Sequence, residues 1–347
     1  MVVAVIHLHR ISALEPESES EVFVSKLWVG SQLLLPGIII ETEVAAMKAI
    51  QMHGYGGVDQ LQYEDVPAPT AGSGEVLVKV AATSVNPIDW KIRRGNLQGM
   101  LTLQFPVIPG RDVAGEVVGV GAGVSNFKPG QKVMALTNRT YAELVAVPSA
   151  ALATVPDGLE LQQAGALPLV ITTGAALIEH VGPHSGQTVL VTGALGSVGR
   201  TAVYVATERG ARVIAGVRER QKRQAQALGA HQVIAIDSDS EIHSLPDLDA
   251  IADTVDGEVI GKLITKLKRG GVLGSTLGKP KAAEGKDIRV EAFSVQPNPS
   301  VLARLAEAVR KGNLNIPVVK TFKLSEAAAA QKLAEEGKAE GKIVLMP

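Results

Sequence analysis

Residues 189–200 read VLVTGALGSVGR. Strand-forming residues run into Gly193, Gly196 and Gly199, and a helix-compatible stretch begins at Ser197. The dinucleotide-binding fingerprint G-x-G-x-x-G lies between a strand and a helix, because each glycine removes a side chain from a crowded place. Read to end on Gly199, the chain carries Ala194, Gly196 and Gly199, with an extra Gly193 one position earlier. In this reading Gly196 lets the backbone approach a pyrophosphate, and Gly199 lets the helix pack on the sheet. The helix N-terminus offers free N–H groups and a positive dipole end to the phosphates. Gly193, Ala194, Leu195, Gly196, Ser197, Val198 and Gly199 are therefore cofactor-binding candidates. Two other readings compete. One is a glycine turn without a ligand. The other is a hydrolase nucleophile elbow, G-x-S-x-G, but Leu195 stands where that motif needs its first glycine.

The surroundings of the turn predict the fold class. Strands are expected at 188–192, 212–216, 232–236, 248–255 and 270–276, with helices at 197–209, 219–228 and 258–267 between them. Apolar strands alternating with helices predict an α/β domain, a parallel sheet covered on both faces. A helix over 159–181, broken or kinked at Pro168, leads into it. Between 47 and about 150 the style differs. Residues 75–85 and 113–121 alternate, and 132–136 and 141–147 follow at short spacing, which predicts a compact β-rich domain. After a helix near 300–312, a strand at 318–324, a helix at 325–336 and a strand at 342–345 resume that style. The C-terminus is thus expected to rejoin the first domain.

The chain has 347 residues, enough for about two domains. Its net charge of −1 argues against a polybasic partner of nucleic acid or membrane. It has no cysteine, which removes disulfides, thiolate nucleophiles and sulfur-ligated zinc and suits the cytosol. No apolar run reaches the ~18–20 residues of a membrane span, and Pro36–Gly37 interrupt the nearest one, LLLPGIII at 33–40. MVVAVIHLHR lacks the basic lead of a secretion signal. Residues 1–46, with the acidic ALEPESESE, show no period. They are expected to form a poorly ordered extension translated upstream of the natural start; a short accessory strand or arm is the alternative.

The end of the second strand selects among dinucleotides. An NAD site places an acid there for the ribose 2′-hydroxyl. This chain instead reads AGVRERQKR, with Arg218, Arg220, Lys222 and Arg223 close together. That pattern favours a 2′-phosphate, hence NADP(H), with Arg218, Lys222 and Arg223 as candidates. Glu219 keeps NAD open, and an ordinary solvated helix face is the plain alternative.

NPIDWKIRRG (86–95), PGRDVAGEVVGVG (109–121), YAELVAV (141–147), ALPLVITTGAAL (166–177) and LGA (228–230) together resemble the medium-chain dehydrogenase/reductase superfamily, in its zinc-independent quinone oxidoreductase-like branch. The resemblance covers about 47–347. It implies a GroES-like β-rich catalytic domain over 47–167 and 315–347 and a doubly wound Rossmann domain over 168–314. It also implies an active site in the cleft between them, and homodimers formed through the Rossmann sheet. Zinc-dependent relatives carry Cys where Asn86 stands and Gly-His-Glu where Gly110, Arg111 and Asp112 stand. The resemblance therefore implies a metal-free reductase that passes a hydride from NADPH to a quinone or an α,β-unsaturated carbonyl. Alternatives are an enoyl-thioester reductase serving a larger synthase, and a non-catalytic NADPH-binding regulator.

By position in the family, Asn86 lies near the nicotinamide ribose and substrate. Asp89 is an anchor of the NPID turn or a catalytic group, and Lys91 is a carbonyl donor or a surface lysine. Thr172, with Thr173 beside it, faces the cofactor from its helix. Thr254, Leu277 and Gly278 lie near the nicotinamide, and Lys342 lies near the cofactor. Two other constellations have plainer readings. DSDSE at 237–241 lacks the glycine and distal glutamate of a calcium loop and reads as a solvated turn. His180 and His184 are separated by Gly182–Pro183 and read as loop residues rather than a metal pair.

Overall fold

The structure is a computed structural model, and it describes residues 45–347 except 256 and 338. It also describes the strand backbone of Leu27–Val29, Gln32–Leu35 and Ile38–Glu41. Those three strands form an antiparallel sheet of their own. The rest of the expected poorly ordered extension lies outside the described residues.

Six parallel strands form the nucleotide-binding type of sheet. Their spatial order is Gln232–Ala235, Arg212–Val217, Thr188–Thr192, Leu248–Asp253, Leu267–Ser275 and Arg289–Ala292. The order reverses between Thr188–Thr192 and Leu248–Asp253, so the crevice at their carboxyl ends is the expected ligand site. These central strands are buried on both faces. Val189, Leu190 and Val191 are fully inaccessible, as are Ile251 and Ala252. Helix Pro168–Val181 covers one face together with Ser197–Glu208, and Glu258–Ile264 contributes Ile260 and Leu263 to the core on the other.

The first five of these strands coincide with the expected ones to within a few residues. The sixth was not anticipated: RVEA alternates only weakly and sits at an edge. The helix expected over 219–228 is three short pieces, Glu219–Gln221, Lys222–Ala225 and Gln226–Leu228. Within them only Ala225 is buried, so no apolar stripe holds a longer helix against the sheet.

The β-rich part is built on Glu75–Val85, which pairs antiparallel with Asp112–Val120 and with Leu144–Pro148. The C-terminal strand Lys342–Met346 joins the same strand, with Ile343 opposite Val85. Val318–Lys323 then flanks it in parallel. This pairing carries Lys342 to the end of Glu75–Val85, directly beside Asn86. A strand at Leu61–Pro67, hidden in sequence by LQYEDVP, pairs with Ala46–Met52.

Candidate active site

The glycine turn after Thr188–Thr192 is tightly built. Gly193 has φ 58°, and a Cβ there would come within 2.5 Å of Thr254 Oγ1. A Cβ on Gly199 would run into the Gly193 carbonyl oxygen, so the helix rests directly on the turn. Gly196 N donates to Gly193 O at 2.8 Å, and Arg200 Nε donates to Leu195 O at 2.9 Å. Gly196 is the N-cap of helix Ser197–Glu208, with no side-chain cap, so the first N–H groups of the helix stay available. A Cβ on Gly196 would meet only Gly193 O, at 3.2 Å.

The turn opens onto a cleft of about 1070 Å³ walled by residues of both sheets. Gly193, Leu195, Gly196, Ser197, Val198 and Gly199 line it, while Ala194 is buried behind them. Thr254 also lines it. Its N–H donates to Thr192 Oγ1 at 2.9 Å and its hydroxyl to Thr192 O at 2.8 Å, which stitches the two strands at the switch point. Leu277 is exposed to the cleft, and Gly278 is not part of the lining. Of the adjacent threonines, Thr173 lines the cleft and Thr172 does not; both hydroxyls are buried without a partner.

At the end of Arg212–Val217, exposed Arg218 lines the cleft, and no carboxylate among the described residues engages its guanidinium. Arg220 also lines it and pairs with Glu340 at 3.7 Å. Lys222 and Arg223 are not in the lining. Lys222 is held by Glu241 at 2.6 Å and lies 3.8 Å from Glu219, which draws that acid away from the cleft as well. The acids of DSDSE are occupied. Asp237 accepts from Glu219 N, Asp239 pairs with Lys262 and Glu241 with Lys222. His180 stacks on Phe293, with ring centroids 4.3 Å apart.

The other wall holds a buried polar cluster. Lys342 Nζ donates to Asn86 Oδ1 at 2.6 Å, Val85 O at 3.3 Å and Asp112 Oδ2 at 3.4 Å. Asn86 Nδ2 donates to Asp112 Oδ2 at 2.7 Å, and Ser84 Oγ donates to the same oxygen at 2.5 Å. Asp112 Oδ1 accepts Leu169 N at 2.6 Å, so one carboxylate joins the β-rich part to the first turn of helix Pro168–Val181. Three acceptors around Nζ match the three N–H bonds of an ammonium. Burial pulls Lys342 below its ordinary lysine value, opposed by the charges of Asp112 and Asp89. Asn86 is therefore bonded at both ends of its amide, and its rotamer is fixed.

Asp89 lies one layer deeper, outside the cleft lining. Pro87 opens helix Pro87–Arg93, and Asp89 caps it by accepting Asn86 N at 2.8 Å. The same oxygen accepts Tyr141 OH at 3.0 Å. Burial pushes Asp89 up to about 7, against the pull of those two hydrogen bonds. Lys91, on the same helix, does line the cleft, with its ammonium 5.8 Å from the Trp90 ring centre. Sequence reasoning had noted Asp112 and Arg111 only as departures from zinc relatives. Asp112 proves to be the hub of the cluster and Arg111 a cleft side chain. A charged pair at the start of an otherwise apolar strand was the available signal.

Residues 72–157 match the family described as Alcohol dehydrogenase GroES-like domain, and 228–345 match Zinc-binding dehydrogenase. The chain is 33% identical over 328 residues to quinone-oxidoreductase QR1, chloroplastic, of Triphysaria versicolor, covering 87% of this chain and 98% of that one. It is 32% identical over 319 residues to the NADPH-dependent alkenal/one oxidoreductase, chloroplastic, of Arabidopsis thaliana, covering 87% and 80%. The solved quinone oxidoreductase from Coxiella burnetii superposes with a TM-score of 0.78 at 31% identity, covering 87% of this chain and all of that one. The chain belongs to the medium-chain dehydrogenase/reductase superfamily, in its quinone oxidoreductase-like branch.

A medium-chain reductase of this branch works with NAD(P)H, and the cleft fits such a dinucleotide. The cleft in front of Gly196, the helix N-terminus without a side-chain cap and the orphaned Thr173 hydroxyl are the features that would accept it. One matched family is named for zinc, yet the relatives' Cys and His positions carry Asn86 and Arg111 here. Among the described residues no three His, Asp or Glu side chains converge as a metal set would.

Proposed function

We propose that this medium-chain reductase uses NADPH to reduce quinones or α,β-unsaturated carbonyls, without a metal. The observation that carries the cofactor choice is Arg218, a carboxylate-free guanidinium at the end of the second strand, with Glu219 turned toward Lys222. When bound, the dinucleotide supplies a hydride. The residues that would hold it are Gly196, Ser197, Val198 and Gly199 at the pyrophosphate, and Arg218 with Arg220 at the 2′-phosphate. Thr173, Thr254 and Leu277 would face the nicotinamide. Asn86 and Lys342, locked on Asp112, would form a fixed wall against which the two reactants are oriented.

The test is NADPH oxidation at 340 nm, with NADH in parallel, against 1,4-quinones, 2-alkenals and enoyl thioesters. Turnover of quinones or alkenals supports this reading, and preference for thioesters moves it to an enoyl-thioester reductase. Tight NADPH binding without turnover on any acceptor would leave a binding protein. A homodimer through the edge strand Arg289–Ala292 belongs to the same proposal, and light scattering at the monomer mass would refute it. So does a cytosolic location. No helix among the described residues is long and apolar enough to cross a membrane. A fluorescent fusion found inside plastids would overturn the cytosolic assignment.

A further inference from the structure

We infer that Arg111 is a catalytic residue, the donor that holds the oxygen of the acceptor as negative charge develops on it. This rests on the reductase reading above and adds a group to it. Uptake of a hydride at the β-carbon forms a C–H bond there. The C=C pair moves to join the α-carbon to the carbonyl carbon, and the C=O pair moves onto oxygen. An enolate results, or a hydroquinone anion from a quinone. Water later supplies the proton, and the reduced nicotinamide dinucleotide that gave the hydride is left oxidised. A site for this reaction needs a donor aimed at the oxygen, fixed before the charge appears.

The cleft leaves few candidates. The Asn86 amide donates to Ser84 O and Asp112, the Lys342 ammonium has three acceptors, and the Thr254 hydroxyl is given to Thr192 O. Arg111 lines the cleft, its Nε is buried with no hydrogen-bond partner, and no described carboxylate pairs with its guanidinium. The adjacent carboxylate, Asp112, is committed to Ser84, Asn86, Lys342 and Leu169. A buried donor without a partner is costly in the empty protein and gains its bond when an oxygen arrives. The backbone under Arg111 is also rigid. Gly110 has φ 100°, and a Cβ there would collide with Tyr141 and Thr140, while Thr137 N donates to Arg111 O at 2.9 Å. Lys91, the other cation in this region, projects from the short helix Pro87–Arg93 on a flexible four-carbon stem that carries a point charge rather than a planar fork. The unpaired Trp90 Nε1 and Thr173 hydroxyl carry no charge.

The test uses 4-nitrophenol as a stable mimic of the anionic oxygen, titrated into protein saturated with NADP+ and followed by its phenolate absorbance. Arg111 should lower the pH at which the bound phenol ionises by one unit or more relative to solution. Arg111→Met should abolish that shift, and Arg111→Lys should restore part of it. NADPH affinity measured on each variant confirms that the cleft is intact. With the best acceptor, Arg111→Met should lower kcat about 100-fold with little change in KM. An unshifted phenol in the wild type, no phenol binding, or an equal shift in Arg111→Met overturns the assignment, whatever the turnover. A shift that depends on Arg111 in a protein that reduces no acceptor leaves the anion site standing and overturns the reductase reading instead.

Discussion

Asp89→Asn should change the pH dependence of stability in a direction fixed by the structure. Asp89 is fully enclosed, and burial raises it from 3.8 to about 7. Between these values the folded protein keeps a proton that the unfolded chain has released. Stability from this group is therefore complete below pH 3.8 and is lost as pH rises toward and through 7. The separation corresponds to about 4 kcal/mol in total, of which about 2–3 kcal/mol falls between pH 5 and pH 8. Asparagine preserves the acceptor for Asn86 N and Tyr141 OH and cannot ionise. The variant should gain on the wild type by about 2–3 kcal/mol over that interval, since the other titrating groups are common to both proteins. The assay is urea unfolding at pH 5, 6, 7 and 8, followed by Trp90 emission in a Trp28→Phe background. A difference between the two proteins that stays flat with pH, or that falls as pH rises, would refute the reasoning.

Four further outcomes are expected. Arg218→Ala should weaken NADPH about tenfold and leave NADH nearly unchanged, because an exposed charged contact to phosphate is screened; equal losses for both would remove the 2′-phosphate argument. Gly196→Val should block dinucleotide binding in calorimetry with at most a small fall in the thermal midpoint, because its Cβ meets only Gly193 O, at 3.2 Å; unchanged affinity would move the cradle elsewhere. Asp112→Ala strands Lys342 and three other donors in a buried place and should cost about 3–5 kcal/mol in unfolding experiments. Treatment with a chelator should leave turnover intact, and an inactivation reversed by added zinc would contradict the metal-free reading.

Much of the architecture was readable because its signals are local. Strand Glu75–Val85 alternates in burial from Glu75 to Ala82 before its end is enclosed on both faces, and TVLVT runs straight into its glycines, so both were placed to the residue. Leu61–Pro67 and Arg289–Ala292 were hidden because edge positions tolerate polar residues, and their pairing partners rather than their own period define them. The glycine turn was legible for the same local reason. The cluster on the opposite wall was not. Lys342 meets Asp112 across 230 residues and Asn86 across 256, and no window along the chain contains that encounter. Only the return of the C-terminal strand to Glu75–Val85 creates it.

That return has a consequence for the economy of the enzyme in a cell. Where zinc-dependent relatives carry a metal ligand, this chain has Asn86, and the positive charge beside it belongs to a side chain of the protein itself. A tethered amine cannot diffuse away, and only its proton exchanges with the surroundings. It is delivered by translation, present at unit occupancy in every folded copy, and indifferent to metal starvation or to competition from copper or cobalt. Recovering a metal centre in this scaffold would thus begin with removing Lys342, since a divalent ion and a buried ammonium would contend for the same carboxylate.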